Sequence, residues 1–249
     1  MHNFTVVIFR FSSLKSGDNL TFDVFLRKAN VRHRKYLFIV LQLTIRGKYI
    51  TIRKNQGKDA NTMLTMEQAA QLLQMTTKED HLLLHARNVS VAMGGLARHF
   101  GADEAHWMAI GYLHDYDYEQ YPEEHLQHTE APLLAAGLAP EEVRAILSHG
   151  YIHLNDIEPV TPMEKSLFTV DELTGIIQAA ARMRPMGITD MEVSSFMKKF
   201  KDKKFAAKCD REVIKKGCEM LGMEVREVAS ICIEAMKAHA EELQIGPKN

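Results

Sequence analysis

An apolar stripe ending on a histidine and an aspartate sets the terms for this chain. Trp107, Ile110, Gly111 and His114 recur at helical spacing, and Asp115 follows at once. A helix patterned this way turns its apolar face into a core, and its end carries an imidazole and a carboxylate inward. A neutral imidazole beside a carboxylate suits a divalent metal. The fold therefore has to place further polar groups opposite this helix end.

The neighbouring segments read as helices. Thr65 and Gln68 form a capping box that starts a helix over 66–73. The next helix runs from after Thr77 to about Phe100 and stops at Gly101. Residues 103–114 are the third, and 123–136 the fourth, with Pro132 as a kink point and Gly137 as the stop. Residues 140–149 open on Pro140, with Glu141 and Glu142 near the positive end of the helix dipole. A loop over 150–160 leads to a long helix over 162–181, and the remainder predicts helices near 190–200, 210–221 and 224–243. The expected fold class is all-α.

Residues 1–62 differ in character. They carry twelve Lys and Arg against Asp18, Asp23 and Asp59, with no Glu, for a net charge of +9, which leaves −10 for the rest. β-Branched and aromatic runs at 4–9, 36–45 and 49–52 predict short strands. A shift this abrupt divides the chain into a basic appendage, 1–62, of β or irregular structure, and a helical domain, 63–249. The appendage is either a small module for nucleic acid or a partner, or non-native upstream sequence read in frame, with Met63 or Met66 as the start.

Three cysteines, Cys209, Cys218 and Cys232, are too few and too oddly spaced for a disulfide framework or a zinc site, which points to a cytoplasmic protein with buried thiols. The longest apolar run, 36–45, is far short of the roughly 20 residues of a membrane span. Arg10 interrupts the early apolar run, so no signal peptide is expected. Membrane partners are not expected, and any nucleic-acid binding rests on 1–62 alone.

The candidate ligands are His85 in mid-helix, His114 and Asp115 at a helix end, His125 at the start of a helix, His149 at the end of one, and Asp171 on an apolar stripe with Phe168, Val170 and Leu173 nearby. A lone core histidine more often bonds a backbone carbonyl. A carboxylate on an apolar stripe costs several kcal/mol unless paired or metal-bound. Together, on consecutive helices, these residues point to a metal site.

In this arrangement, His85, His114-Asp115 and a distant Asp171, the chain resembles the HD-domain metal-dependent phosphohydrolases over about residues 66–236. The likeness is nearest to a subgroup of bacterial HD-domain hydrolases. The stretches that carry it are His114-Asp115-Tyr116-Asp117-Tyr118-Glu119, Glu123-Glu124-His125, Ala145 to Gly150, Asp171 to Gly175, Arg184-Pro185 and Phe200 to Phe205. The resemblance implies an all-α bundle with its ligands in a central cleft. It implies one metal on His85, His114, Asp115 and Asp171, with His125 and His149 as added ligands of a second ion and Asp115 between the two. It further implies a metal-activated water acting on a nucleotide or other small phosphate ester. Iron, manganese, zinc or cobalt fits such ligands better than calcium.

Many members have a lysine three residues after the aspartate of the doublet, where this chain has Tyr118. Phosphate recognition is then expected from Arg184 and from the run Lys198, Lys199, Lys201, Lys203 and Lys204, with Arg184, Lys201 and Lys204 the substrate-binding candidates; a solvated helix face is the plainer role for the run. Asp115 and Asp117 are the expected catalytic residues, Asp117 as a proton acceptor near the metal water. His128 is a weaker ligand candidate, and His81, His99, His106, His153 and His239 read as surface or structural. Two other functions share the pattern, a di-iron oxygenase of a small organic substrate and a non-catalytic ligand-sensing module. Intact ligands weigh against the second. The oligomeric state is left open.

Overall fold

The computed structural model describes the backbone of Gln42–Ile45 and Lys48–Thr51 and residues 63–248. The chain divides into two compact units, Met1–Gln56 and Gly57–Asn249. In the first, β1 (Gln42–Ile45) pairs antiparallel with β2 (Lys48–Thr51), Leu43 opposite Ile50. The strand expected at 4–9 lies outside the described residues.

The second unit is all-α among its described residues. Its helices are α1 (Met66–Thr76), α2 (Asp80–Phe100), α3 (Glu104–Leu113), α4 (Glu130–Ala135), α5 (Pro140–Ser148), α6 (Pro162–Arg182), α7 (Val193–Lys201), α8 (Arg211–Leu221) and α9 (Val225–Lys237). Their ends follow local chemistry. Thr65 and Gln68 cap α1 reciprocally, and Asp103 accepts from the His106 N–H at 2.8 Å to open α3. Thr161 and Pro162 start α6, and Gly101, at φ 65°, ends α2 in the left-handed conformation that favours glycine.

Two 21-residue helices, α2 and α6, form the centre. α2 packs on α3, α6 and α9, and α6 also packs on α8 and α5. Val89, Leu96, Ile110, Leu113, Leu167, Leu173 and Ile176 fill the space between them. The α2–α3 approach is close because Gly111 has no side chain: a Cβ there would stand 2.8 Å from Met93 Cγ and 3.2 Å from the Ser90 backbone. Gly95 admits α9 in the same way, with Ala235 Cβ 2.8 Å from its Cβ position. The glycines within α2 thus mark close helix packing rather than a break.

The helix expected over 123–136 does not form as one element. A 3₁₀ turn at Pro122–Glu124 is followed by extended backbone at His125, a positive φ of 69° at Leu126, and only then the short α4. The cause is Asp117, whose buried carboxylate accepts the Leu126 and His128 N–H groups, both at 3.0 Å, and pulls the chain out of helical geometry. Pro132 sits in the first turn of α4, where its missing N–H would have no partner anyway. No helix among the described residues is long and apolar enough to cross a membrane.

Candidate metal centre

Five separate segments deliver the cluster. His85 comes from the second turn of α2 and Asp171 from the middle of α6. His114 and His149 are the C-cap residues of α3 and α5. Asp115 follows His114, and His125 follows the 3₁₀ turn. Their ligand atoms form three overlapping groups, each within 4.8 Å: His85, His114 and Asp115; His114, His149 and Asp171; Asp115, His125 and His149. All six expected ligands therefore lie in one cluster. His128 does not join it; its imidazole pairs with Glu124 at 2.6 Å and stacks on Tyr121.

The two helix ends use one device twice. The last carbonyls of a helix have no partner within it. At α3 the His114 side chain folds back so that Nδ1–H donates to Gly111 O at 2.8 Å; at α5, His149 Nδ1–H donates to Ile146 O at 2.6 Å. A carbonyl can only accept, so both protons are fixed on Nδ1. His125 Nδ1 donates likewise to Asp117 Oδ1 at 2.7 Å. All three imidazoles consequently aim Nε2 inward. His125 Nε2 and His149 Nε2 stand 3.3 Å apart.

These nitrogens face carboxylate oxygens. His114 Nε2 is 3.2 Å from Asp115 Oδ2 and 3.4 Å from Asp171 Oδ1; His125 Nε2 is 3.2 Å and His149 Nε2 3.6 Å from Asp115 Oδ1. His85 Nε2 lies 2.9 Å from Asp171 Oδ1. His114 Nε2 is fully buried and has no hydrogen-bond partner. Lone pairs pointed at carboxylate oxygens repel unless a cation or a proton lies between them. Among the described residues, no Lys or Arg nitrogen comes within 4 Å of Asp115 or Asp171. The donor set and the orphaned nitrogen fit a bound divalent metal.

The imidazoles and carboxylates of the cluster shift one another's protonation. Burial works against charge on His114, but the neighbouring Asp115 and Asp171 carboxylates outweigh it and hold its pKa well above the ordinary value. Burial is likewise outweighed at His125, where hydrogen bonds to Asp115 and Asp117 push the pKa to about 9. Against their burial, Asp115 is held far below the usual carboxylate range by His114, His125 and His149, and Asp171 by His114 and His85. Burial and the Asp171 charge push the adjacent Glu172 up.

One side of the cluster is closed and one is open. His114, His125 and His149 form a buried floor, while His85, Asp115 and Asp171 keep partly exposed side chains. Tyr118, 38% exposed, sets its ring edge to face against His125 at 5.1 Å.

Asp117 has a different place from the one expected. It is only 1% exposed, and both its oxygens are taken by His125, Leu126 and His128. It cannot receive a proton on the open side; it orients His125. Arg184 is not brought to the cluster either. It pairs with Asp190 at 2.9 Å and donates to Ser195, beyond the end of α6, and that end lies about 16 Å from Asp171 at 1.5 Å per residue. Lys201 and Lys204 are exposed at the end of α7 and in the turn after it. That turn leads to α6 near Asp171, since a Cβ on Gly175 would meet Cys209 Sγ at 2.8 Å and Glu172 accepts the Asp210 N–H at 2.9 Å.

Sequence reasoning missed Glu119, whose carboxylate accepts the Lys78 and Glu79 N–H groups at 2.7 and 3.0 Å. The signal was available in the alternation of Asp115, Asp117 and Glu119, and in a start of α2 that lacks a capping side chain of its own. Comparison of the chain with protein-family models, with curated proteins and with solved structures gives no match.

Proposed function

We propose that this protein is a metal-dependent phosphohydrolase of the HD-domain type, acting on a nucleotide or another small phosphate ester. The observation that carries the reading is the convergence of three imidazoles, fixed with Nε2 inward, on two carboxylates that have no Lys or Arg partner among the described residues. His85, His114, Asp115 and Asp171 would hold one ion, and Asp115, His125 and His149 a second. Mixed imidazole and carboxylate ligands favour iron, manganese, zinc or cobalt. Bound metal would supply a water acidified toward neutral pH and positive charge against phosphoryl oxygens.

The chain's own residues divide the remaining work. The partly exposed edge formed by His85, Asp115 and Asp171 gives a substrate access to the centre. Tyr118 offers a phenol and a ring face beside His125. Lys201 and Lys204, exposed at the end of α7 and in the turn after it, would be the cations offered to phosphate, with Arg184 engaged elsewhere.

The test joins metal analysis of anaerobically purified protein to a screen of phosphate esters. About two transition-metal ions per chain and release of phosphate that a chelator abolishes are expected. His149→Ala should leave about one ion and a folded protein. Oxygen consumption without phosphate release would replace hydrolysis by di-iron oxygenation. A wild-type protein free of metal, with no melting response to added metal, would overturn the reading.

A further inference from the structure

The turn that follows Asp115 carries a carboxylate at every second residue, and each faces a different part of the molecule. Asp115 faces the imidazoles. Asp117 faces the 125–128 loop, where it fixes His125 and two backbone N–H groups. Glu119 faces the start of α2, where one oxygen, Oε2, accepts from both Lys78 N and Glu79 N. The turn itself is closed by its own backbone: Tyr118 N–H donates to Asp115 O at 3.1 Å, and Gln120 and Tyr121 donate to Asp117 O at 3.1 and 2.9 Å. Asp115 and Glu119 are thus parts of one braced segment.

Glu79, the N-cap residue of α2, makes no capping hydrogen bond with its side chain. The free N–H groups at a helix start normally take a side-chain acceptor from the cap residue itself. Glu119, from forty residues away, instead accepts the N–H groups of the cap residue Glu79 and of Lys78 before it, and so ties the entry to α2 to the segment bearing Asp115. His85 lies six residues after Glu79, about 9 Å along the axis. The tie joins the stretch that leads to His85 to the segment bearing Asp115, whose Oδ2 stands 3.7 Å from His85 Nε2.

We infer that Glu119 is a positioning residue for the half of the metal centre that contains His85, as Asp117 is for the half that contains His125. The inference rests on the metal-centre reading above. Its consequence is selective: the two halves share Asp115 but are braced by separate carboxylates, so each can be loosened alone.

Cobalt(II) titration of the full chain, followed by visible absorption, tests this in wild type, Glu119→Ala and Glu119→Gln. Backgrounds of His85→Ala and His149→Ala assign the binding steps. Loss of a residue that orients a ligand costs about 10- to 100-fold in metal affinity. Glu119→Ala should weaken by that factor the step that His85→Ala removes, and leave the step that His149→Ala removes unchanged. In the His85→Ala background, Glu119→Ala should add no further loss of affinity, because the ligand it positions is gone. Glu119→Gln keeps an acceptor oxygen for the two N–H groups and should restore most of the affinity. A general structural role would lower the melting temperature and weaken both steps equally, which would overturn the inference. So would two unchanged steps in Glu119→Ala. A wild type that binds no cobalt would overturn the metal-centre reading itself, and this inference with it.

Discussion

At the scale of single residues, the cluster is a set of matched protonation states. His125 has its pKa raised to about 9 in the folded chain, from an unfolded value near 6.5. A group raised on folding adds stability that is complete below its unfolded pKa and is lost as pH rises through its folded pKa. Metal-free protein should therefore lose stability between about pH 6.5 and 9. Asp115 is shifted the opposite way, so its contribution is present above its unfolded pKa of about 3.8 and fades only in stronger acid. Metal binding displaces the imidazole protons, so the gain in melting temperature from added metal should grow over the same window. Melts from pH 6 to 9, with chelator and with manganese under anaerobic conditions, check both slopes. Asp115→Asn removes the charge that faces His125 Nε2 and should flatten both. A chelated wild type with a pH-independent melt over this range would contradict the assignment. The candidate ligands were legible in the sequence because a polar side chain on an apolar stripe is costly without a partner. The role of Asp117 was not legible, because an acidic residue in a turn looks the same whether it faces solvent or a distant backbone N–H, and at Glu119 the alternation with Asp115 and Asp117 marked the residue without naming its partner.

At the scale of elements, helix ends do most of the positioning. α3 and α5 each finish on a histidine that caps its own helix and aims Nε2 inward, and α2 and α3 meet closely enough to bring His85 and His114 ring to ring at 5.1 Å. Helix starts could be read from Thr65, Asp103, Pro140 and Pro162, since capping chemistry is local. The 123–136 segment could not, because what breaks it is a carboxylate eight to eleven residues earlier, a tertiary contact that overrides local propensity. The α2–α3 contact makes its own prediction. A side chain at Gly111 meets Met93, which can yield, and the Ser90 backbone at 3.2 Å, which cannot without moving α2. Gly111→Val should cost about 1–3 kcal/mol by overpacking and should also weaken metal binding, because the shift carries His85 away from His114. Gly101→Ala is the control. A Cβ there meets nothing within 4 Å, so only the backbone conformation at φ 65° resists it, at about 1 kcal/mol, with metal affinity untouched. Denaturant melts and metal titrations of both variants separate the two effects, and equal metal affinity in both would show that α2–α3 spacing does not set the site.

At the scale of the whole molecule, charge and chemistry are divided unequally. Residues 1–62 carry the net positive charge, while every side chain of the candidate centre comes from the unit Gly57–Asn249. The first side chain that anchors this unit among the described residues is Leu64. It is 5% exposed, and its N–H donates to the buried Glu142 carboxylate at 2.7 Å. Glu142 also accepts from Ala139 N, so this one acid joins the start of α1 to the start of α5. Thr65 follows as the cap of α1. A fragment of residues 63–249 keeps all of this and should fold, bind metal and retain any activity. A fragment of residues 66–249 loses the Thr65 cap, at about 1 kcal/mol, and the buried Leu64 side chain, at about 1.5–3 kcal/mol. It also leaves Glu142 with one donor fewer. The shorter fragment should therefore melt several degrees below the longer one. Metal affinity should be equal in the two, because the start of α1 contributes no ligand and α2 keeps its tie to Glu119. Paired melts and metal analyses of the full chain and both fragments decide the matter. If 63–249 is unfolded or metal-free while the full chain is neither, the basic segment is a working part of the domain. If 66–249 melts with 63–249, the link from Leu64 to Glu142 contributes nothing to holding α1 in place.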